Sequence, residues 1–291
     1  MAEKQISKFV VTKVKGGKRD TRPVRGADLF PEVYSNIFIC SKKKSGKTTV
    51  IHNILRECCG KKTVVYIFSS TVHKDDTYKA ILKMLKEKDI VVHAHEHFMD
   101  GSRSLIKDVI TELQEKARLE KEKEDLREER LKKEKENPSG VKLVPDIRNG
   151  IFWGGMKRAD AEEEPEEKEK KESKLAPEFI FCFDDLSSDL RSAQICRLLK
   201  FNRHFKSKCI ISSQWVSDLK PEGLRQIDYF LLFPSIPDKK LNALFEILRL
   251  NITLEQFQTL YKHATSEPYN FLYVDITQCL YRKNFNIALT V

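Results

Sequence analysis

From Val33 onward, short apolar runs alternate with stretches whose apolar positions recur at helical spacing. The first run, residues 36–40 (NIFIC), leads through a glycine-containing loop into a helical stretch over residues 48–57. The second, residues 63–68 (TVVYIF), precedes a helical stretch over 78–87, and residues 90–93 (IVVH) form the third. After a long interruption come the runs 179–183 (FIFCF), 209–212 (CIIS) and 229–233 (YFLLF), with a helix expected near 188–205. Runs this short and this continuous predict strands buried on both faces. Strands separated by helices predict βαβ units around a mainly parallel sheet of five or more strands. In the tail, residues 239–250 and 254–263 read as helices and 271–275 as a strand, all expected to pack on the same sheet.

The interruption has a different pattern. Leu105, Ile106, Val109, Ile110 and Leu113 make one apolar helical stripe, which runs straight into residues 115–136, where almost every position is charged. A Pro/Gly-rich patch with Ile151, Phe152 and Trp153 follows, then an acidic stretch over 161–174. Mixed charges without an apolar seam predict a solvated helix or a disordered segment rather than a coiled coil. The expected organisation is therefore a basic N-terminal arm over 1–32, with one short strand at 9–11, and one α/β domain over 33–291 interrupted by a charged insertion at 112–176.

Charge sharpens this division. The chain of 291 residues carries a net charge of +10, yet residues 112–176 hold 17 Lys/Arg and 19 Asp/Glu, so the excess of basic residues lies entirely outside the insertion. Eight Lys/Arg and two acidic residues fall within positions 1–26 alone. A basic body suits a polyanionic partner such as nucleic acid. No run of eighteen apolar residues occurs, and residues 1–25 lack the apolar stretch of a secretory signal, so an intracellular protein with no membrane partner is expected. Seven scattered cysteines without CxxC spacing predict neither a disulfide framework nor a zinc ribbon, but small buried hydrophobes in a reducing compartment. The alternating histidines His93, His95 and His97 share one face of the third strand, but have no Cys or carboxylate partner of metal-site spacing nearby, and no role is assigned to them.

The chemistry is concentrated where the first strand ends. Ser41, Lys42, Lys43, Lys44, Ser45, Gly46, Lys47 and Thr48, with Thr49 following, fit the spacing of a phosphate-binding loop, except that Ser41 stands in place of its first glycine. Placed between a buried strand and a helix, the loop's backbone N–H groups can surround phosphate oxygens while Lys47 reaches the β- and γ-phosphates of ATP. Thr48 then offers its hydroxyl to Mg²⁺. Asp184 and Asp185 follow the apolar run 179–183, the arrangement in which a buried strand delivers one carboxylate to the Mg²⁺ shell and its neighbour to an attacking water. Asp184 is the expected metal residue and Asp185 the expected general base, one methylene shorter than the glutamate many such ATPases use. Gln214, at the end of the 209–212 strand, is a candidate γ-phosphate sensor, and Arg203 is the first candidate for an arginine finger, with Arg225 the second.

In this order the motifs resemble those of the HerA–FtsK superfamily, and look most like the genome-packaging ATPases of poxvirus-like viruses and of Polinton or virophage elements. The resemblance covers about residues 33–233. It implies a RecA-like P-loop NTPase fold with an additional strand, built as a three-layer sandwich with a charged helical insertion. It also implies a homo-oligomeric ring with sites between subunits, a capsid or portal partner, and translocation of double-stranded DNA. Localisation would then be the host cytoplasm or nucleus, or the virion. The chain lacks a carboxylate cluster after this core, so it is not expected to cut DNA. Two other readings compete: a nucleoside or small-molecule kinase, whose lid arginines are not evident, and a nucleotide-binding scaffold without turnover, which the presence of Lys47, Asp184 and Asp185 disfavours.

Overall fold

The computed structural model describes residues 20–100, 103–136 and 173–290. The strand expected at 9–11, the 151–153 patch and the acidic stretch up to residue 172 lie outside the described residues.

The elements in chain order are β1 (Asn36–Cys40), α1 (Lys47–Cys58), β2 (Val64–Ser69), α2 (Asp76–Glu87), β3 (Val91–His95), β4 (Met99–Asp100), β5 (Arg103–Ser104), α3 (Leu105–Glu136) and β6 (Phe179–Asp184). Then follow α4 (Ala193–Lys200), β7 (Ser207–Ser213), α5 (Pro221–Leu224), β8 (Tyr229–Leu232), α6 (Asp238–Leu248), α7 (Leu254–Ala264), β9 (Leu272–Asp275), β10 (Leu280–Lys283) and β11 (Ile287–Leu289). A nine-stranded sheet has the order β11-β10-β9-β8-β1-β7-β6-β2-β3. Its six strands from β8 to β3 are mutually parallel, and β9 to β11 extend it as an antiparallel edge.

The two-residue period of each strand sorts its side chains into two cores. Ile37 and Ile39 of β1, Ile180 and Cys182 of β6 and Ile210 of β7 pack on one face with Ile51, Ile54 and Leu55 of α1 and Ile81 and Leu85 of α2. Their neighbours Phe38, Phe181, Phe183 and Ile211 point to the other face, against Ile106 and Ile110 of α3, Leu198 and Leu199 of α4, Leu241 and Leu244 of α6, and Phe257 of α7. Helices on both faces of the mixed sheet make a three-layer α/β sandwich, as expected. Burial on both faces explains why these strands read as continuous apolar runs, since neither face meets water.

Several details differ from expectation. The helix expected over 188–205 is confined to Ala193–Lys200, because the Ser192 side chain accepts from Ile195 N and starts the helix late. It ends where the chain turns, and Asn202 O takes both the N–H and the hydroxyl of Ser207. The hairpin β10–β11 was not legible: only Tyr281 of β10 is buried, so no continuous apolar run marks it. Six cysteines are buried as expected, but Cys279 is exposed in a turn at φ 51°. The helix α3 is continuous from the apolar stripe into the charged stretch. Its first turns are buried through Ile106, Ile110 and Leu113, and its next two are tied down by Lys116 to Glu178 at 3.1 Å and by Glu120 to Lys206 at 2.6 Å.

Candidate active site

The strand order decides which side chains meet. The strand β7 lies between β1, which leads into the loop at Ser41–Thr48, and β6, which ends in Asp184, and it pairs in parallel with both. This is the additional-strand arrangement. Register places Cys40 opposite Ser213 and Ser212 opposite Asp184, so all three strands deliver their next residues to one end of the sheet. There, a cleft of about 680 Å³ is lined by Lys44, Lys47, Thr48, Asp185, Gln214 and Tyr269, among others, a size within the usual range of small-molecule sites.

The loop is shaped by two left-handed residues, Lys44 at φ 61° and Gly46 at φ 89°. Gly46 is the N-cap of α1 and has no side chain to cap the helix, so the first-turn N–H groups stay available to an anion. Ser45 Oγ donates to Lys42 O at 2.7 Å and Ser41 N to Ser213 O at 3.0 Å, which fasten the loop at its middle and its start. Lys42, Lys43, Lys44 and Thr49 are exposed, Thr48 is half-buried, and Ser41 and Lys47 are buried. Ser41 thus sits beneath the loop, a place where a small hydroxyl substitutes for glycine without entering the cleft.

Lys47 is held by both carboxylates. Its Nζ lies 3.1 Å from Asp184 Oδ1 and in direct contact with Asp185 Oδ2. The contact with Asp184 is an ion pair rather than an aligned hydrogen bond, and leaves Asp184 Oδ1 without a hydrogen-bond donor although it is buried. The other oxygen, Asp184 Oδ2, accepts from Tyr78 Oη at 2.7 Å. Burial first, and then the nearby Cys182 and Asp184, push the Tyr78 hydroxyl well above its ordinary range, so it remains a donor. Asp185 follows the strand at φ 53°, with its N–H donated to Ser212 O at 3.2 Å. Aspartate adopts this left-handed backbone more readily than most non-glycine residues do.

Neither candidate arginine reaches this cleft within the chain. Because β7 and β8 run parallel to β1, Arg203 and Arg225, each four residues ahead of its strand, stand at the opposite, amino-terminal end. Arg203 is in the turn after α4, two-thirds exposed, and pairs with Glu32 at 3.2 Å. Arg225 caps the end of α5 and lines a second cleft of about 320 Å³ with Leu224, Ile227, Phe230 and Arg249. The histidines stack instead of clustering, His93 on Tyr66 and His95 on Phe68 at 4.8 and 5.3 Å between ring centres. Among the described residues no group of three metal-ligating side chains occurs.

No family model and no curated protein matches the chain. It is similar in structure to the genome packaging NTPase B204 of Sulfolobus turreted icosahedral virus 2 in complex with AMP, at 15% identity and a TM-score of 0.49, over 87% of this chain and 98% of that one. It is also similar to B204, the DNA-packaging ATPase of Sulfolobus turreted icosahedral virus, at 17% identity and a TM-score of 0.48, over 86% of this chain and 96% of that one. For the complex of the first protein with ATP-gammaS the values are 17% and 0.44, over 89% and 100%.

Two residues at the site carried no signal in the sequence. Tyr78 belongs to the helix after β2, and only the strand order, with β2 beside β6, brings it to Asp184. Tyr269 lies in a turn far along the chain, and nothing in its neighbours Ser266, Glu267 and Pro268 distinguishes it from an ordinary surface tyrosine.

Proposed function

We propose that the chain is an ATP-hydrolysing motor that moves double-stranded DNA into a capsid, working as a ring with its sites between subunits. The observation that carries this reading is the position of Gln214: the strand interposed between β1 and β6 delivers it into the same cleft as Lys47 and Asp185. A phosphate cradle alone serves many chemistries, whereas a polar sensor between cradle and carboxylates suits hydrolysis of the terminal phosphate. The narrower kinship with the poxvirus-like and Polinton–virophage packaging ATPases, and a capsid or portal partner, are part of the same proposal.

The residues fit a Mg²⁺·ATP complex. Asp184 Oδ1 is a buried carboxylate oxygen lacking a hydrogen bond, and Thr48 lines the cleft wall, so these two would hold Mg²⁺. The chemistry such a metal would supply is neutralisation of the charge that develops on the β- and γ-phosphate oxygens. Lys47 lies against both aspartates, and a bound triphosphate would draw its ammonium to the γ-phosphate and free Asp185. Asp185 then accepts a proton from water as that water's oxygen bonds to the γ-phosphorus. The bond from the γ-phosphorus to the β–γ bridging oxygen breaks, ADP leaves with the bond's electrons, and Gln214 orients the water. Arg203 or Arg225 would act on a neighbouring subunit's nucleotide, and the exposed Arg203–Glu32 pair is weak enough to be exchanged for a phosphate.

The test is steady-state ATP turnover with and without duplex DNA, with assembly state followed by light scattering. Duplex DNA should raise turnover, and its binding should weaken steeply with salt. Mixing Arg203→Ala chains with Asp185→Asn chains, each inactive alone, should restore turnover at mixed interfaces. A monomeric ATPase indifferent to DNA overturns the motor reading.

A further inference from the structure

Tyr269 occupies a position that the hydrolysis chemistry leaves unused. It lies in the turn between α7 and β9, is 67% exposed, and lines the phosphate-loop cleft. Its distance from the loop is small: a Cβ added to Gly46 would stand 3.3 Å from Tyr269 Cδ1, so the ring edge lies against the glycine that opens α1. Register fixes the side from which it approaches. Leu272 pairs with Leu232 and Leu232 with Cys40, so the start of the antiparallel β9 shares the end of the sheet from which the loop emerges. It does so on the β8 flank of β1, whereas Asp184 and Asp185 lie on the other flank, beyond β7. A triphosphate whose terminal group faces the aspartates has its nucleoside end directed toward Tyr269.

The turn is built to hold the ring there. Tyr269 itself has φ 66°, a conformation that is costly for a bulky side chain. The residues around it secure the geometry: Asn270 Nδ2 donates to Glu267 Oε2 at 2.7 Å, Asn284 Nδ2 to Asn270 Oδ1 at 2.8 Å, and Phe271 N to Asn284 Oδ1 at 3.1 Å. Lys283 closes the turn from β10 with an ion pair to Glu267 at 3.3 Å. A strained backbone, a polar network that fixes it and an exposed aromatic ring at the cleft wall are the parts of a stacking platform.

We propose that Tyr269 is the platform on which the nucleobase stacks, so that the site takes a nucleoside triphosphate and holds its base by the ring face. This rests on the nucleotide reading of the cleft. Stacking is tolerant of base identity because every base offers a π-face, so ATP and GTP should bind alike. The test compares ATP with inorganic tripolyphosphate, which has no base, by calorimetric titration of the full chain and of Tyr269→Ala and Tyr269→Phe, with thermal melts confirming that both variants fold. Tyr269→Ala should weaken ATP roughly tenfold and leave tripolyphosphate unchanged, while Tyr269→Phe binds both as the parent does. Equal affinity of Tyr269→Ala and parent for ATP, or an equal loss for both ligands, overturns the platform while the phosphate cradle stands. A parent chain that takes up neither ligand removes the nucleotide reading, and the platform with it.

Discussion

Among the described residues two lysines are buried, Lys47 and Lys208, at opposite ends of the parallel strands. Lys208, at the start of β7, donates to Glu32 O at 2.9 Å and Ser35 Oγ at 2.8 Å and lies over the Phe30 ring. Its surroundings are closed and mainly neutral, and burial lowers its pKa despite the nearby Asp228 and Glu32. Lys47 meets two carboxylates at the wall of an open cleft. The same ammonium group is thus a structural tie at one end and, on the proposed reading, a movable counter-ion at the other. The difference lies in what surrounds it: fixed neutral acceptors give the charge nowhere to go, whereas carboxylates at a cleft wall would, on the proposed reading, let it be transferred to an incoming phosphate.

The strongest way to break this contrast is to truncate both lysines. Lys47→Met should abolish ATP turnover, since the phosphates lose their cation, and should also lower stability by leaving two carboxylates unpaired. Lys208→Met should keep turnover per folded molecule and cost about 1–3 kcal/mol in urea unfolding, from two acceptors left without a donor. If Lys208→Met loses turnover as completely as Lys47→Met, the two ends are not chemically distinct.

A smaller effect is expected at Tyr78. Tyr78→Phe deletes the hydrogen bond to Asp184 Oδ2, a bond to a charged group of about 1.5–3 kcal/mol. Turnover should fall roughly tenfold by that measure, and the Mg²⁺ concentration giving half-maximal rate should rise. A packing role alone would lower the melting temperature and leave the Mg²⁺ dependence untouched.

The smallest effect belongs to the amino-terminal end. Burial pushes the Asp228 carboxyl up to about 6 from the ordinary 3.8, although it accepts from Asn36 N at 2.7 Å. The folded chain holds this proton more tightly, so the unfolded chain ionises first as pH rises, and the stability present at acid pH is lost through about pH 6. Asp228→Asn keeps an acceptor for Asn36 and should gain stability relative to the parent as pH rises from 4 through that point; a pH-independent difference in melting temperature would contradict this.

The same contrast explains what was legible in the sequence. The candidate loop at residues 41–48 and the pair Asp184–Asp185 are legible because their residue types, spacing and apolar approach strand are all local. Gln214 was readable as a strand-end residue, but its place between the other two strands is a matter of strand order, which no local pattern encodes. Tyr78 and Tyr269 act through contacts spanning 106 positions to Asp184 in one case and a turn beside β9 in the other, and so left no trace. Helix α4 was read too long because apolar positions continue through Phe201 and Phe205 after the helix has ended, where Asn202 turns the chain.

On the proposed reading, the carboxyl-terminal end of the sheet hydrolyses ATP with Asp185 as the base. The most direct test is phosphate release from Mg²⁺·ATP by the parent and by Asp185→Asn, with ATP binding measured on the same samples. The parent should release phosphate, and the variant should bind ATP yet turn over at least about 100-fold more slowly. Undiminished release by Asp185→Asn would rule out Asp185 as the base.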